Sequence, residues 1–133
     1  MGAMARFFCV ESPFVEHCHL EEETRLEDGV RARVRLRPEL TNSWGGAHGG
    51  LIVTLLDASM TVAARYALDP GGQRGVATVD LSTSFVGQAR RTLVCDARVT
   101  AVRGSTIFAE ARAKNEDGDL VARAAATLRA LKG

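Results

Sequence analysis

Residues 47–68 read AHGGLIVTLLDASMTVAARYAL, an apolar stretch interrupted in its middle by one acid, Asp57. The run opens behind a glycine-rich loop, NSWGGAHGG at 42–50, and stops at DPGGQRG, 69–75. This punctuation predicts one helix from Ala47 or His48 to Leu68, about 30 Å long at about 1.5 Å per residue. Leu51, Leu55, Ala58 and Val62 fall on one flank of its wheel, and Ile52, Leu56 and Ala63 on another. A helix apolar on nearly every side needs covering on most sides. Its polar residues are grouped: Gly50, Thr54, Asp57 and Thr61 recur at spacings of four, three and four, on one narrow face. Burying an unpaired carboxylate is expensive, so Asp57 either reaches water or has a chemical role.

Upstream, residues 19–37 read HLEEETRLEDGVRARVRLR. Val30, Ala32, Val34 and Leu36 alternate with Arg31, Arg33, Arg35 and Arg37, the two-residue period of a strand. The expected element is a β-hairpin closed by a three-residue loop, Glu27-Asp28-Gly29, with Gly29 at positive φ. Its register sets Leu26 against Val30, Thr24 against Ala32, Glu22 against Val34 and Leu20 against Leu36. Glu23–Arg33 and Glu21–Arg35 pairs on the other face, each worth a few tenths of a kcal/mol up to about 1, make the arginines a solvated face. Glu22 finds no partner in this register.

Downstream, four segments alternate. Val79, Leu81 and Phe85 share one face of the first, with Thr78, Asp80, Ser82 and Ser84 on the other. Leu93, Cys95, Ala97, Val99 and Ala101 line the second, and Ile107, Ala109, Ala111 and Ala113 the third. A turn, EDGD at 116–119, leads to the last, through Leu120, Ala122, Ala124, Ala126 and Leu128. Short connections imply antiparallel neighbours. The expected architecture is therefore α+β: one antiparallel sheet of about six strands wrapped around one long central helix. Alanines on the last two strands would let helix and sheet approach closely. The whole chain, 1–133, reads as one domain, with residues 1–16 weakly patterned and a break at Pro13.

The totals exclude several classes. A formal net charge of +1 gives no reason to expect nucleic acid or an anionic membrane as partner. The apolar run contains Asp57, Arg65 and many alanines, threonines and serines, which argues against a membrane span, and MGAMARFF has no secretory h-region. Cys9, Cys18 and Cys95 form no C-x-x-C pair and read as small hydrophobes in a reducing, cytoplasmic setting. His17-Cys18-His19 would point to alternate faces of a strand, so no metal site is expected.

Glycines at 45, 46, 49 and 50 expose backbone N–H groups where the helix begins. Such an end carries about half a unit of positive charge and free donors, and can receive a developing oxyanion. Taken singly, the glycines suit a tight turn, His48 a cap, and Asp57 a surface acid. Taken together, NSWGGAHGG, the acid nine residues after His48, VATVDLSTSFV and EDGDLVARAAATL resemble the hotdog-fold acyl-CoA thioesterases of the phenylacetate-degradation type, over about 42–131.

That resemblance implies a homodimer or homotetramer with its active site at the subunit interface, acyl-CoA as substrate, and no cofactor beyond the CoA of the substrate. Carried over, Gly49 would polarise the thioester carbonyl through its N–H, and Asn42 would help orient the acyl group. Asp57 would act across the interface as general base or nucleophile. Thr78 or Thr61 would hold the attacking water, and His48 would orient the loop. Gly50, Arg90 and Arg91, and the turn Arg103-Gly104-Ser105-Thr106, would meet the CoA. The chain departs from the family at Gln88-Ala89-Arg90-Arg91, where relatives often have Pro-Ala followed by a Gly. No Ser-His-Asp set is evident or needed, because a thioester has a good leaving group. Two other hotdog functions compete: a non-catalytic acyl-CoA binder, which commonly lacks the acid, and a dehydratase, whose HFPG-like loop is absent. Trp44 and Met60 are the candidates for lining an acyl pocket.

Overall fold

The computed structural model describes residues 6–132. In chain order they form α1 (Pro13–His17), β1 (Glu21–Leu26), β2 (Gly29–Arg35), a 3-10 turn at Pro38–Leu40, α2 (Gly49–Leu68), β3 (Val76–Phe85), β4 (Thr92–Arg103), β5 (Thr106–Asn115) and β6 (Leu120–Ala130). All strand pairs are antiparallel, and the six strands make one sheet in the order β1-β2-β4-β5-β6-β3. The sheet wraps α2, which is the hotdog architecture.

Leu55, Leu56, Met60 and Val62 of α2 are fully buried with Val30 and Val34 of β2, Leu93 and Cys95 of β4, Ile107 of β5 and Leu128 of β6. Burying each of the larger aliphatic side chains contributes about 1.5–3 kcal/mol. Ala109, Ala111 and Ala113 of β5 and Ala122, Ala124 and Ala126 of β6 are the small inner residues that let helix and sheet close up. Burial among apolar groups pushes the Cys95 thiol up to about 12.

A register shift between Val99 and Ala101 sets Ala101 opposite Phe108 and leaves it exposed, off the inner face it was expected to share with Val99. Four larger features also differ from the pattern in the sequence. The hairpin turns on two residues, Glu27 and Asp28, because Leu26 pairs with Gly29. A register shift between Glu22 and Thr24 then slides the strand, setting Glu22 against Ala32 and Glu21 against Arg33. Glu23 reaches Arg31 and Arg33 at 3.6 Å each, while the tighter partner of Arg31 is Asp96, at 2.6 Å. Gly29 is required by close packing and not by positive φ: a Cβ there would lie 1.8 Å from the Ala97 carbonyl oxygen.

Second, β3 is not the neighbour of β4. Residues 86–91 cross the end of the sheet, so β3 pairs with β6 at the far edge. Six residues reach up to about 20 Å, enough to pass two strands spaced about 4.8 Å apart. The crossing is pinned by Val86 and Gly87 N–H groups on the Val121 carbonyl and by the buried Asn115, which accepts from Arg90 N and donates to Gln88 O.

Third, a bulge in β3 lies between Thr78, opposite Leu128, and Asp80, opposite Thr127. The extra residue, Val79, is 63% exposed, and the alternation changes phase across it. Strict period-two reading puts Thr78 on the outer face with Asp80; the bulge puts it on the helix side. Fourth, Pro13 opens a helix instead of breaking one: Ser12 caps α1 by accepting from Val15 N at 3.3 Å. His17 thus ends a helix and Cys18 caps it, so the strand geometry expected for His17-Cys18-His19 does not form.

Candidate active site

α2 starts at Gly49, with His48 as N-cap: its Nδ1 accepts from Gly50 N at 2.8 Å. A side chain on Gly50 would crowd that ring, approaching Nδ1 to 3.0 Å. The His48 imidazole and the Gly50 N–H therefore satisfy each other. The Gly49 N–H has no acceptor among the described residues and remains a free donor at the positive end of a 20-residue helix.

Asn42 is engaged within the loop. Its Oδ1 accepts from Trp44 N at 2.9 Å and Gly46 N at 3.2 Å, and its Nδ2 donates to Ala47 O at 3.4 Å. It shapes the entry to the helix and has little left to offer an acyl group. Trp44, at the loop tip, is 88% exposed, whereas Met60 is sealed in the core. Neither lines a pocket by the acid, because the wheel turns Met60 toward the sheet and the loop turns Trp44 outward.

Asp57 is half-buried, two turns along α2, on the face the sheet leaves open. Thr78 Oγ1 donates to its Oδ1 at 2.7 Å. A hydroxyl has one proton, so Thr78 spends it on the carboxylate and can offer water only lone pairs. Asp57 keeps Oδ2 for another partner. Thr54 donates to Gly50 O at 2.7 Å, and Thr61 stands one turn beyond Asp57 on the same stripe. Thr54, Asp57 and Thr61 all face one groove of about 320 Å³, whose other wall is residues 7–15. The sequence reading missed that wall. Its available signal was composition, since three of the five phenylalanines, Phe7, Phe8 and Phe14, fall in this segment.

The residues expected to meet CoA fall into two sets at opposite ends of the sheet. Arg103 to Thr106 make the β4–β5 turn, one register row from the row of Thr78. Arg90 and Arg91 lie at the other end, beyond Phe85. Arg90 is held by Asp117 and Asp119, the latter at 2.9 Å, so its charge is neutralised within the loop. The Asp119 N–H and then Arg90 hold the Asp117 carboxyl below the usual carboxylate range. Arg91 makes no ion pair among the described residues.

α2 runs against β3, so the two halves of the site are apart within one chain. Asp57 meets Thr78, and Phe85 packs at Gly49, where a Cβ would lie 3.5 Å from its Cζ. Gly49 and Asp57 are eight steps apart along α2, a rise of about 12 Å at about 1.5 Å per residue. One carbonyl cannot touch both.

Residues 45–122 match the model of the thioesterase superfamily. The chain belongs to that superfamily. A curated relative, a candidate esterase of Halobacterium salinarum, is 40% identical over 88 residues, which cover 64% of this chain. The match spans 58% of that relative's length. Among solved structures, the Bacillus halodurans protein BH2602, determined with CoA, superposes with a TM-score of 0.83 at 20% identity, over 92% of this chain and 80% of its own. The Escherichia coli PaaI protein of the phenylacetic acid degradation operon superposes at 0.82 with 14% identity, over 92% and 86%. These two likenesses are of fold, and they agree with the hotdog architecture of this thioesterase-superfamily chain.

Proposed function

We propose that this protein hydrolyses acyl-CoA thioesters to the free acid and CoA, with Asp57 as general base. The observation that carries this reading is the Asp57–Thr78 pair. One carboxylate oxygen is fixed by a hydroxyl, the other is open, and the groove beside them is otherwise largely apolar. Membership of the thioesterase superfamily supports the reaction class.

In the proposed reaction, Oδ2 of Asp57 takes a proton from water as the water oxygen attacks the thioester carbonyl. The carbonyl oxygen gains the negative charge, which the Gly49 N–H and the α2 N-terminus stabilise; such a donor is typically worth roughly 10²–10³ in rate. Collapse expels CoA as thiolate, a good leaving group because an alkyl thiol ionises far more readily than an alcohol; the cysteine thiol, for comparison, does so at about 8.5. The thiolate then regains a proton, restoring the Asp57 carboxylate. These steps use only water and the groups named. Thr61, one turn from Asp57 and facing the same groove, has a hydroxyl with no hydrogen-bond partner among the described residues and would hold the water.

The helical rise of about 12 Å between Gly49 and Asp57 supports a site shared by two copies, with Asp57 and Thr78 from one and Gly49 from the other. An antiparallel two-fold would set each helix start beside its partner's acid. The exposed β3 edge suits that contact. CoA would then meet Arg91 on the Gly49 side and the Arg103–Thr106 turn on the Asp57 side. The solved BH2602 complex, of the same fold, binds CoA itself. The three free, buried cysteines favour a reducing compartment such as the cytoplasm.

The test is a thiol-release assay over short, medium and aryl acyl-CoAs with the parent and Asp57→Asn. The reading expects turnover by the parent and a loss of at least about a hundredfold in a folded variant. Equal rates would remove Asp57 from the mechanism. Acyl-CoA binding without turnover by the parent would favour the non-catalytic binder.

A further inference from the structure

The residues before β1 are built into the fold at three points. Phe7 and Val10 close a tight turn through reciprocal N–H to carbonyl bonds of 2.9 Å. Phe8, at the turn's crown with φ +56°, donates its N–H to Glu22 Oε2 at 3.0 Å, which supplies the partner that Glu22 lacked in the sequence. Its ring stands edge-on to Tyr66, which in turn carries Arg25 over its face at 3.6 Å. Cys9 presses on Gly72, where an added Cβ would come within 2.6 Å of its sulfur. The turn is thus clamped to β1 and to the far end of α2. From there Ser12 caps α1, and Val15 anchors it in the core.

This strap crosses the one face of α2 that the sheet does not cover, and the groove of about 320 Å³ lies between them. Phe7, Val10 and Phe14 line one side, and Val53, Ala58 and Thr61 the other, with Asp57 in the floor. Phe14 is 59% exposed although it is large and apolar, and it has no aromatic partner among the described residues. An apolar wall ending at the proposed catalytic carboxylate is what an acyl chain needs, since the thioester carbon must sit by Asp57 and the tail must leave water. At about 30 Å³ per water-sized group the groove holds roughly ten such groups, within the low end of the ligand-pocket range.

We propose that residues 7–15 form the acyl-chain wall of the active site, that the preferred substrate carries an apolar acyl chain of medium length, about eight to ten carbons, and that Phe14 and Val10 set that length. The inference rests on the thioesterase reading for the position of the reacting carbonyl. It goes beyond it by naming the acyl class and the residues that select it.

The test compares parent, Phe14→Ala, Val10→Phe and a control, Phe108→Ala, whose exposed ring stands on β5, a strand that contributes nothing to the groove. Each is assayed on straight-chain acyl-CoAs from acetyl to dodecanoyl and on benzoyl-CoA. In parallel, binding of the non-hydrolysable thioether analogues is measured. The proposal expects a parent optimum near octanoyl to decanoyl. Opening the wall with Phe14→Ala should raise the dodecanoyl-to-butyryl ratio of kcat/KM by about tenfold or more, and filling it with Val10→Phe should lower that ratio comparably. Phe108→Ala should leave the ratio alone. Ratios within about twofold of parent in both wall variants would overturn it, as would a benzoyl preference that neither variant moves. If the parent hydrolyses no acyl-CoA, the thioesterase reading fails separately. The thioether dissociation constants then decide the wall: opposite shifts in the two variants support it, and equal affinities overturn it.

Discussion

The two edges of the sheet are built on opposite plans. β1, Glu21–Leu26, is short, and its residues Glu21, Glu22, Glu23 and Arg25 are exposed and charged. A bulge interrupts it, and Glu23 is drawn into the arginines of β2. Charge, brevity and a bulge are the devices that discourage a second strand from adding. β3 is ten residues long, carries one charged residue, Asp80, and leaves Val79, Phe85 and the following Val86 each more than half exposed. The first edge is closed to partners and the second invites one. The difference matters because Thr78, the residue that holds Asp57, is on the second. In the shared site proposed above, a second copy would pack on this open edge.

The largest effect expected lies one strand in from the closed edge, between β2 and β4. Gly29→Ala would drive a Cβ into the Ala97 backbone at 1.8 Å, and backbone there cannot step aside. A loss of about 3 kcal/mol or more is expected in denaturant unfolding, enough to unfold a marginal domain. A near-neutral result would mean that β2 and β4 are not as close as described.

Next comes the open edge. Lysine at both Val79 and Val86 should convert the proposed dimer to monomers in analytical ultracentrifugation and lower hydrolysis by about a hundredfold, whereas Thr24→Lys on β1 should stay within about 0.5 kcal/mol of parent stability. Monomers with undiminished turnover would break the comparison, since the site would then be complete in one chain. Thr78→Val keeps the strand and removes the donor to Asp57. A fall of about ten- to a hundredfold in kcat is expected, following the usual worth of a hydrogen bond to a charged group, with a smaller change in KM.

The smallest effect concerns the loop leading into β3. The N–H groups of Gln73 and then Gly71 hold the Asp69 carboxyl below its usual value. A depressed folded-state pKa contributes stability that is present above the unfolded-state value of about 3.9 and is lost as pH falls through the lower folded value. Stability measured against pH should therefore fall less steeply below about pH 4 in Asp69→Asn than in the parent. Identical acid limbs would show that the turn carries no such linkage.

Much of this was legible in the sequence for definite reasons. The helix was marked at both ends by glycine and proline, and β5, β6 and β4 as far as Val99 by alternation; beyond the β4 register shift Ala101 is exposed and lies opposite Phe108, which the alternation did not foresee. The grouping of Thr54, Asp57 and Thr61 follows directly from helical spacing, and the structure turns that stripe to the open face. What was not legible came from effects that residue pattern does not record. The position of β3 depends on a crossing that connection length alone does not forbid. Thr78 faces the helix only because Val79 is an extra residue in its strand. Gly29 is required by a neighbour sixty-eight positions away, Ala97, not by its own φ. The strap at 7–15 is irregular chain held by single contacts, which leaves no periodicity to find.

The central claim is that Asp57 of one copy works with Gly49 of another. It is tested most directly by subunit complementation between Asp57→Asn and Gly49→Pro. Proline suits the first helical position, and the extended His48 before it, at ψ 136°, accommodates the ring, so only the N–H is lost. Each variant alone should be nearly inactive. A heterodimer purified through two different tags has one intact pairing and one doubly defective one, so about half of the parent activity should return. A heterodimer no more active than its two parents would show that both groups serve within one chain, and would contradict the shared site.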